Sequence, residues 1–314
     1  MKSIRNIAVV GAGLMGHGIA QAFAQRGYPV VLQDLNDDLL ARARAGMQAN
    51  LATLVEMGLE DEATAAQALA RVSDTTQLAV AVDGADLVVE AAPEDFELKR
   101  ALFAQIARHA PFDAILASNT STLPISGFGE GVPNPGRLVI THWFNPPHIV
   151  PVVEVVMGRD TTPQTAQAVC EVLAAIGKRP VRVRQELPGF LVNRIQTAMF
   201  REVLSLLAQG VASAEDIDEA VKGSFGIRLS VQGVLQTMDL AGLDLMYKGC
   251  GYLFPHLEGA TEAPEILREK VARGELGLKT GQGFFRYDPP ATGGQSPASK
   301  RDKDLLKVLK ALAG

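Results

Sequence analysis

His142 and Glu154 stand in THWFNPPHIVPVVEVV, residues 141–156, where nearly every other side chain is apolar or proline. A carboxylate among Val152, Val153, Val155 and Val156 costs several kcal/mol to desolvate unless a partner meets it. An imidazole on a neighbouring strand is such a partner. If one ring nitrogen donates to the carboxylate, the tautomer is fixed and the other nitrogen is left to accept a proton. The pair then works as an acid/base dyad, although a His–Glu pair can also exist only to satisfy itself. A hydride acceptor nearby favours the chemical role, because oxidation of a secondary alcohol must release the hydroxyl proton as the hydride leaves. His148, in the proline-rich turn, and His17, in the helix after the first glycine loop, are less informative.

The acceptor is signalled at the amino terminus. IAVVGAGLMGHGIA puts Gly11, Gly13 and Gly16 after a strand and before a helix, with Leu14 and Met15 completing the loop. In that context the first glycine makes a tight turn, the second admits a pyrophosphate to the backbone, and the third lets helix and strand pack closely. Asp34, at the end of the second strand, suits a carboxylate that holds both ribose hydroxyls. NAD is therefore expected over NADP, with Arg42 and Arg44 the small argument for the phosphorylated form.

Short branched runs alternate with helical stretches over residues 4–184, the pattern of a sheet covered on both faces. The expected fold class is α/β: a Rossmann-type, parallel, doubly wound domain over 1–186, followed by an all-helical domain over 187–314. Within the latter, 288–300 (DPPATGGQSPASK) form a tether and 301–314 a terminal helix with Leu305, Leu309 and Leu312 along one face. Ser213, three residues before Asp216, marks a helix start. With 314 residues and a net charge of -5, two domains are expected and no basic field exists to attract nucleic acid or an anionic membrane. No apolar run is long enough to span a bilayer, the N-terminus lacks a secretory signal, and Cys170 and Cys250 lack the spacing of a metal or disulfide framework. No metal and a cytoplasmic location are the expectations.

With these motifs assembled, the chain resembles the L-3-hydroxyacyl-CoA dehydrogenase family over nearly its full length. GAGLMGHGIA, VVEAAPEDFELK, ASNTSTLPI, HWFNP followed by VEVV, PGFLVNR and GLKTGQGFFRY carry the resemblance in order. It implies that His142 is the base and Glu154 its partner, that Ser121 binds the substrate hydroxyl, and that Asn193 helps hold the substrate oxygen. It also implies NAD contacts at Glu94, Lys99, Ser121, Asn145 and Lys279, a homodimer formed through the C-terminal domain, and a role in fatty acid metabolism. Taken alone, Ser121 could cap the turn after its strand and Asn193 could bridge helices.

One departure bears on the substrate. CoA-using members place a serine and a lysine on the helix after the second strand, against the CoA phosphates; here those offsets hold Asn50 and Met57. No basic residue lies between Arg44 and Arg71, and Glu56, Glu60, Asp61 and Glu62 do. Phosphate recognition normally recruits Arg or Lys. The expected reaction interconverts a 3-hydroxy and a 3-oxo group, with a 3-hydroxyacyl-CoA placed first on family frequency. A free hydroxy acid of the gulonate, carnitine or pyridine-carboxylate kind is the alternative, and NPPHIVPVVEVV favours it. A non-catalytic NAD-binding structural or sensor protein is the remaining reading.

Overall fold

The computed structural model describes residues 4–288 and 296–313. Two compact units, Met1–Arg194 and Ile195–Gly314, divide the chain. The first carries β1 (Ile7–Val10), α1 (Gly16–Ala24), β2 (Val30–Gln33), α2 (Asp37–Glu56), α3 (Glu62–Ala70), β3 (Val72–Thr75), α4 (Leu78–Val82) and β4 (Leu87–Glu90). It continues through α5 (Phe96–His109), β5 (Ile115–Ser118), α6 (Ile125–Phe128), β6 (Leu138–Trp143), β7 (Val152–Val156), α7 (Pro163–Ala175) and β8 (Arg179–Val183). The strands form one sheet in the order β3-β2-β1-β4-β5-β6-β7-β8. Strand order reverses between β1 and β4, and the carboxyl ends of these strands open the crevice where doubly wound sheets take ligands. IAVV, LVVE and ILAS are buried at every position because helices cover both faces.

One strand departs from a parallel reading of the runs, and another, parallel to β2, has no such run. β7 pairs antiparallel to β6, because residues 144–151 between them are too few for a crossover helix, which takes a dozen or more. β3, VSDT, went unread: only Val72 is buried, so this edge strand has no apolar run to announce it. Val10, Val88, Phe103, Leu116, Phe128, Ile140 and Phe190 belong to one core cluster under the site described below.

The second unit is helical, as expected. α8 (Val192–Ala208) begins in the first unit and is followed by α9 (Ala214–Val221), α10 (Ile227–Leu229), α11 (Val234–Ala241), α12 (Leu243–Leu253), α13 (Glu265–Ala272) and α14 (Pro297–Ala313). Ser213 caps α9, its hydroxyl accepting from the Asp216 amide. Residues 289–295 of the sequence-assigned tether lie outside the described residues, and the terminal helix starts at Pro297, four residues earlier than its apolar spacing suggested, with Leu306 its most buried side chain. Leu235, Leu240, Leu243, Tyr247 and Phe254 are each more than half exposed. Among the described residues, no helix is long and apolar enough to cross a membrane.

Candidate active site

The β6–β7 register sets His142 directly opposite Glu154, so both side chains leave the same face of the sheet. His142 Nδ1 lies 2.7 Å from Glu154 Oε2, with the two residues 5% and 0% exposed. The second carboxylate oxygen, Oε1, accepts from the backbone amides of Leu191 at 3.0 Å and Val192 at 2.9 Å. Those amides open α8, where N–H groups have no intrahelical acceptor and the helix dipole favours negative charge. The strand carboxylate therefore has three donors, one imidazole and two amides, which answers its desolvation cost. A carboxylate only accepts, so Nδ1 carries the hydrogen and Nε2 is left as the basic nitrogen.

The turn into α8 supplies those amides by an unusual backbone. Gly189 and Phe190 both have positive φ, 76° and 51°; for phenylalanine this costs about 1–3 kcal/mol. Burial of the ring, which is 2% exposed, offsets the strain. Phe190 packs edge-on to His142 at a centroid distance of 5.6 Å, and Phe144 packs against it at 4.5 Å. The two rings and the carboxylate fix the imidazole plane. Sequence reading paired Glu154 with His142 but missed these amides; PGF before a helix start was the available signal.

Beside the dyad, the loop after β5 is organised from below. Glu90, at the end of β4 and fully buried, accepts from Lys99 Nζ at 2.7 Å, from the Ala92 amide at 2.7 Å and from the Ser118 hydroxyl. Lys99, 1% exposed, also lies 3.6 Å from Glu94. Glu94 Oε1 in turn gathers the Thr120, Ser121 and Thr122 hydroxyls and the Ser121 and Thr122 amides. Partial burial alone would raise the Glu94 carboxyl, but the Thr120 hydroxyl, the Lys99 charge and the Ser121 amide outweigh it and hold it below the ordinary carboxylate value. Its folded-state pKa being depressed, Glu94 stabilises the loop above the unfolded value and loses that contribution as pH falls through the lower folded one. Ser121 stands on this loop, and Asn193 Nδ2 donates to its carbonyl at 3.2 Å. Ser121, Asn193, His142 and Glu154 thus lie in one unit, whereas Lys99 has its ammonium turned into the buried Glu90 cluster.

At the glycine loop the backbone fits a dinucleotide. A Cβ on Gly16 would stand 1.7 Å from the Gly11 carbonyl oxygen, and one on Gly11 would stand 2.7 Å from that of Ala91, so neither position admits a side chain. Gly13 has nothing within 4 Å of its would-be Cβ, and Leu14 beside it is 67% exposed, leaving open backbone at the start of α1. Met15 is the N-cap of α1, whose first turn contains no acidic residue. Asp34 accepts from the Ala12 and Leu35 amides, both at 2.7 Å, which seats its carboxylate beside the loop. Arg44 is committed to Asp74 and to the Val72 carbonyl, so it is no ready partner for a 2′-phosphate. Asn145 is exposed on the linker after β6, and Lys279 is exposed in the second unit. Among the described residues, no cluster of three His, Cys, Asp or Glu could hold a metal. Asp34→Ala is expected to raise the dissociation constant for NAD by about tenfold or more, the loss of hydrogen bonds to a charged group; NADH fluorescence titration checks this, and unaltered affinity would break the ribose assignment.

Residues 6–187 match the pattern of the 3-hydroxyacyl-CoA dehydrogenase NAD binding domain, and residues 189–287 that of the 3-hydroxyacyl-CoA dehydrogenase C-terminal domain. The chain belongs to the 3-hydroxyacyl-CoA dehydrogenase family. Within that family it is 34% identical, over 99% of both chains, to the 5-formyl-3-hydroxy-2-methylpyridine 4-carboxylate 5-dehydrogenase of Mesorhizobium japonicum. The crystal structure of an enzyme of that name, described as an NAD+-dependent dismutase, superposes with a TM-score of 0.89 at 34% identity and 99% coverage of both chains. An L-carnitine dehydrogenase of Nocardiopsis dassonvillei is 36% identical over 99% of this chain and 92% of its own. A 3-hydroxybutyryl-CoA dehydrogenase of Clostridioides difficile is 37% identical over 90% of this chain and 99% of its own. As a 3-hydroxyacyl-CoA dehydrogenase family member, the protein is an NAD-dependent oxidoreductase that interconverts a hydroxyl and an oxo group.

Proposed function

We propose that His142 Nε2 is the general base of this oxidoreductase and that the substrate is a free hydroxy acid rather than a CoA thioester. The hydrogen bond between His142 and Glu154 carries the first half of the reading. With Nδ1 held, Nε2 takes the proton of the substrate hydroxyl during oxidation and returns it during reduction. NAD, when bound, supplies the hydride acceptor. Gly11, Gly13, Leu14, Met15 and Gly16 would hold its pyrophosphate and Asp34 its adenosine ribose, with Glu94, Lys99, Ser121 and Asn145 as further contacts. The Ser121 hydroxyl and the Asn193 amide would orient the substrate oxygen, and the linked 120–122 loop keeps that hydroxyl in place.

The second half rests on α2. Asn50 occupies the position where CoA-using relatives carry a phosphate contact, and its amide is spent on Gln21 Oε1 at 3.0 Å and His148 Nδ1 at 3.4 Å. Met57 is the C-cap of the same helix, followed by Glu60, Asp61 and Glu62. A surface of that charge repels a polyphosphate. The relatives matched along 99% of this chain include a pyridine-carboxylate enzyme and a carnitine enzyme, while the hydroxybutyryl-CoA enzyme is matched along 90%. A CoA thioester is the second reading, favoured by the closing GLKTGQGFFRY motif. Absorbance at the NADH band, with L-carnitine, L-gulonate and acetoacetyl-CoA in parallel, separates the two. The free-acid reading expects kcat/KM for an acid to exceed that for acetoacetyl-CoA by about tenfold or more, the worth of absent charge-assisted phosphate contacts; the opposite order restores the thioester.

The exposed Leu235, Leu240, Leu243, Tyr247 and Phe254 support a homodimer formed through the helical unit, since a monomer rarely leaves so many large apolar side chains in water. Light scattering is expected to give twice the chain mass of 33.4 kDa, and the single mass would refute it.

A further inference from the structure

Lys178 precedes β8, is 8% exposed, and has no carboxylate within ion-pair distance among the described residues. Its ammonium donates instead to the carbonyls of Pro147 at 2.6 Å and Val150 at 2.8 Å, and lies 5.4 Å from the ring centroid of Trp143. Burying an unpaired cation is unfavourable, so something about this place requires it. The linker FNPPHIVP, residues 144–151, supplies the reason. Its three prolines remove three amide donors. The Pro146 carbonyl is met by the Ile149 and Val150 amides and the Pro151 carbonyl by the Arg179 amide, which leaves the 147 and 150 carbonyls for the lysine. Without the lysine the buried 147 carbonyl and the part-buried 150 carbonyl would both lose this donor. The same linker carries Phe144, packed on the His142 ring, and Asn145, and Trp143 follows His142 directly.

We infer that Lys178 is a positioning residue for the reaction: its ammonium clamps the 144–151 linker and thereby holds Phe144 and Asn145 in register with His142. It touches neither substrate nor cofactor in this role. The inference rests on the reading of His142 as the base, and its geometry stands apart from the choice of substrate. Burial pushes the Lys178 ammonium down to about 8, with the Arg26 charge adding to the effect. Arg26, just beyond α1, is the charged group facing it, and His148 is the titratable group on the linker itself.

Trp143 is the single tryptophan of the chain, so its emission reports on the lysine directly. In wild-type protein the emission is expected to titrate between about pH 6 and 10 with a midpoint near 8, to keep that midpoint in His148→Asn, and to become flat in Lys178→Met. Lys178→Met is further expected to exchange linker amides faster and to lose about 10- to 100-fold in kcat with whichever of L-carnitine, L-gulonate and acetoacetyl-CoA turns over. A purely structural lysine would lower thermal stability but leave kcat per folded molecule intact, and that result overturns the inference. If Lys178→Met does not fold, Lys178→Gln is measured in the same way, and wild-type kcat per folded molecule in that variant sinks the clamp. His142→Gln run alongside keeps the two readings apart, because its full activity would remove the base while the emission and exchange data still judge the lysine.

Discussion

His142→Gln is expected to lower kcat by about 10²- to 10⁴-fold while leaving NAD affinity nearly unchanged. Glutamine keeps a polar group of similar reach but cannot take up a proton at neutral pH, so the substrate hydroxyl must lose its hydrogen to water. The glycine loop between β1 and α1 and Asp34 just after β2, which would hold the cofactor, have no hydrogen bond to His142 among the described residues. Stopped-flow turnover and NADH titration on the same preparation make the comparison. Wild-type turnover in the variant would take His142 out of the mechanism.

Glu154→Gln is expected to cost about 10³- to 10⁴-fold in kcat, by analogy with the loss seen when the orienting carboxylate of a catalytic histidine becomes an amide. The side-chain NH2 would now face Nδ1, turning that nitrogen into an acceptor and moving the ring hydrogen to Nε2, the nitrogen that must be basic. The remaining amide oxygen can still accept from Leu191 and Val192, which share Oε1, but without the carboxylate charge that favours the start of α8, and the second hydrogen of the NH2 that replaces Oε2 has no acceptor there. A buried donor left without its acceptor costs about 1–3 kcal/mol, so a lower melting temperature should accompany the kinetic loss. A drop in stability with turnover preserved would make Glu154 a structural residue only.

The contrast between these two residues and Lys99 shows what was legible in the sequence. The dyad could be read because a short proline turn joins the two strands and sets them side by side, and because a carboxylate in a valine run demands a partner. Glycine positions could be read because each answers a steric requirement that the coordinates meet as contacts below 3 Å. Lys99 is proposed as a cofactor contact on the resemblance alone; it shares a stripe with Phe103 and Ile106 at helical spacing, and all three are buried. That spacing was visible in the sequence and placed the lysine on the covered face of α5. The amides at 191 and 192 and the two linker carbonyls were not visible, since backbone groups carry no letter; only Phe190 in a left-handed turn and three prolines in eight residues hinted at them. The antiparallel β7 followed from the linker length and was open to the same counting.

A crystal structure of the protein with NAD+ and a bound hydroxy acid tests the central claim most directly. His142 Nε2 is expected within about 3 Å of the ligand hydroxyl, with Nδ1 still on Glu154 and the carbinol carbon facing C4 of the nicotinamide. A ligand hydroxyl bonded elsewhere, with Nε2 pointing away from it, would contradict the account.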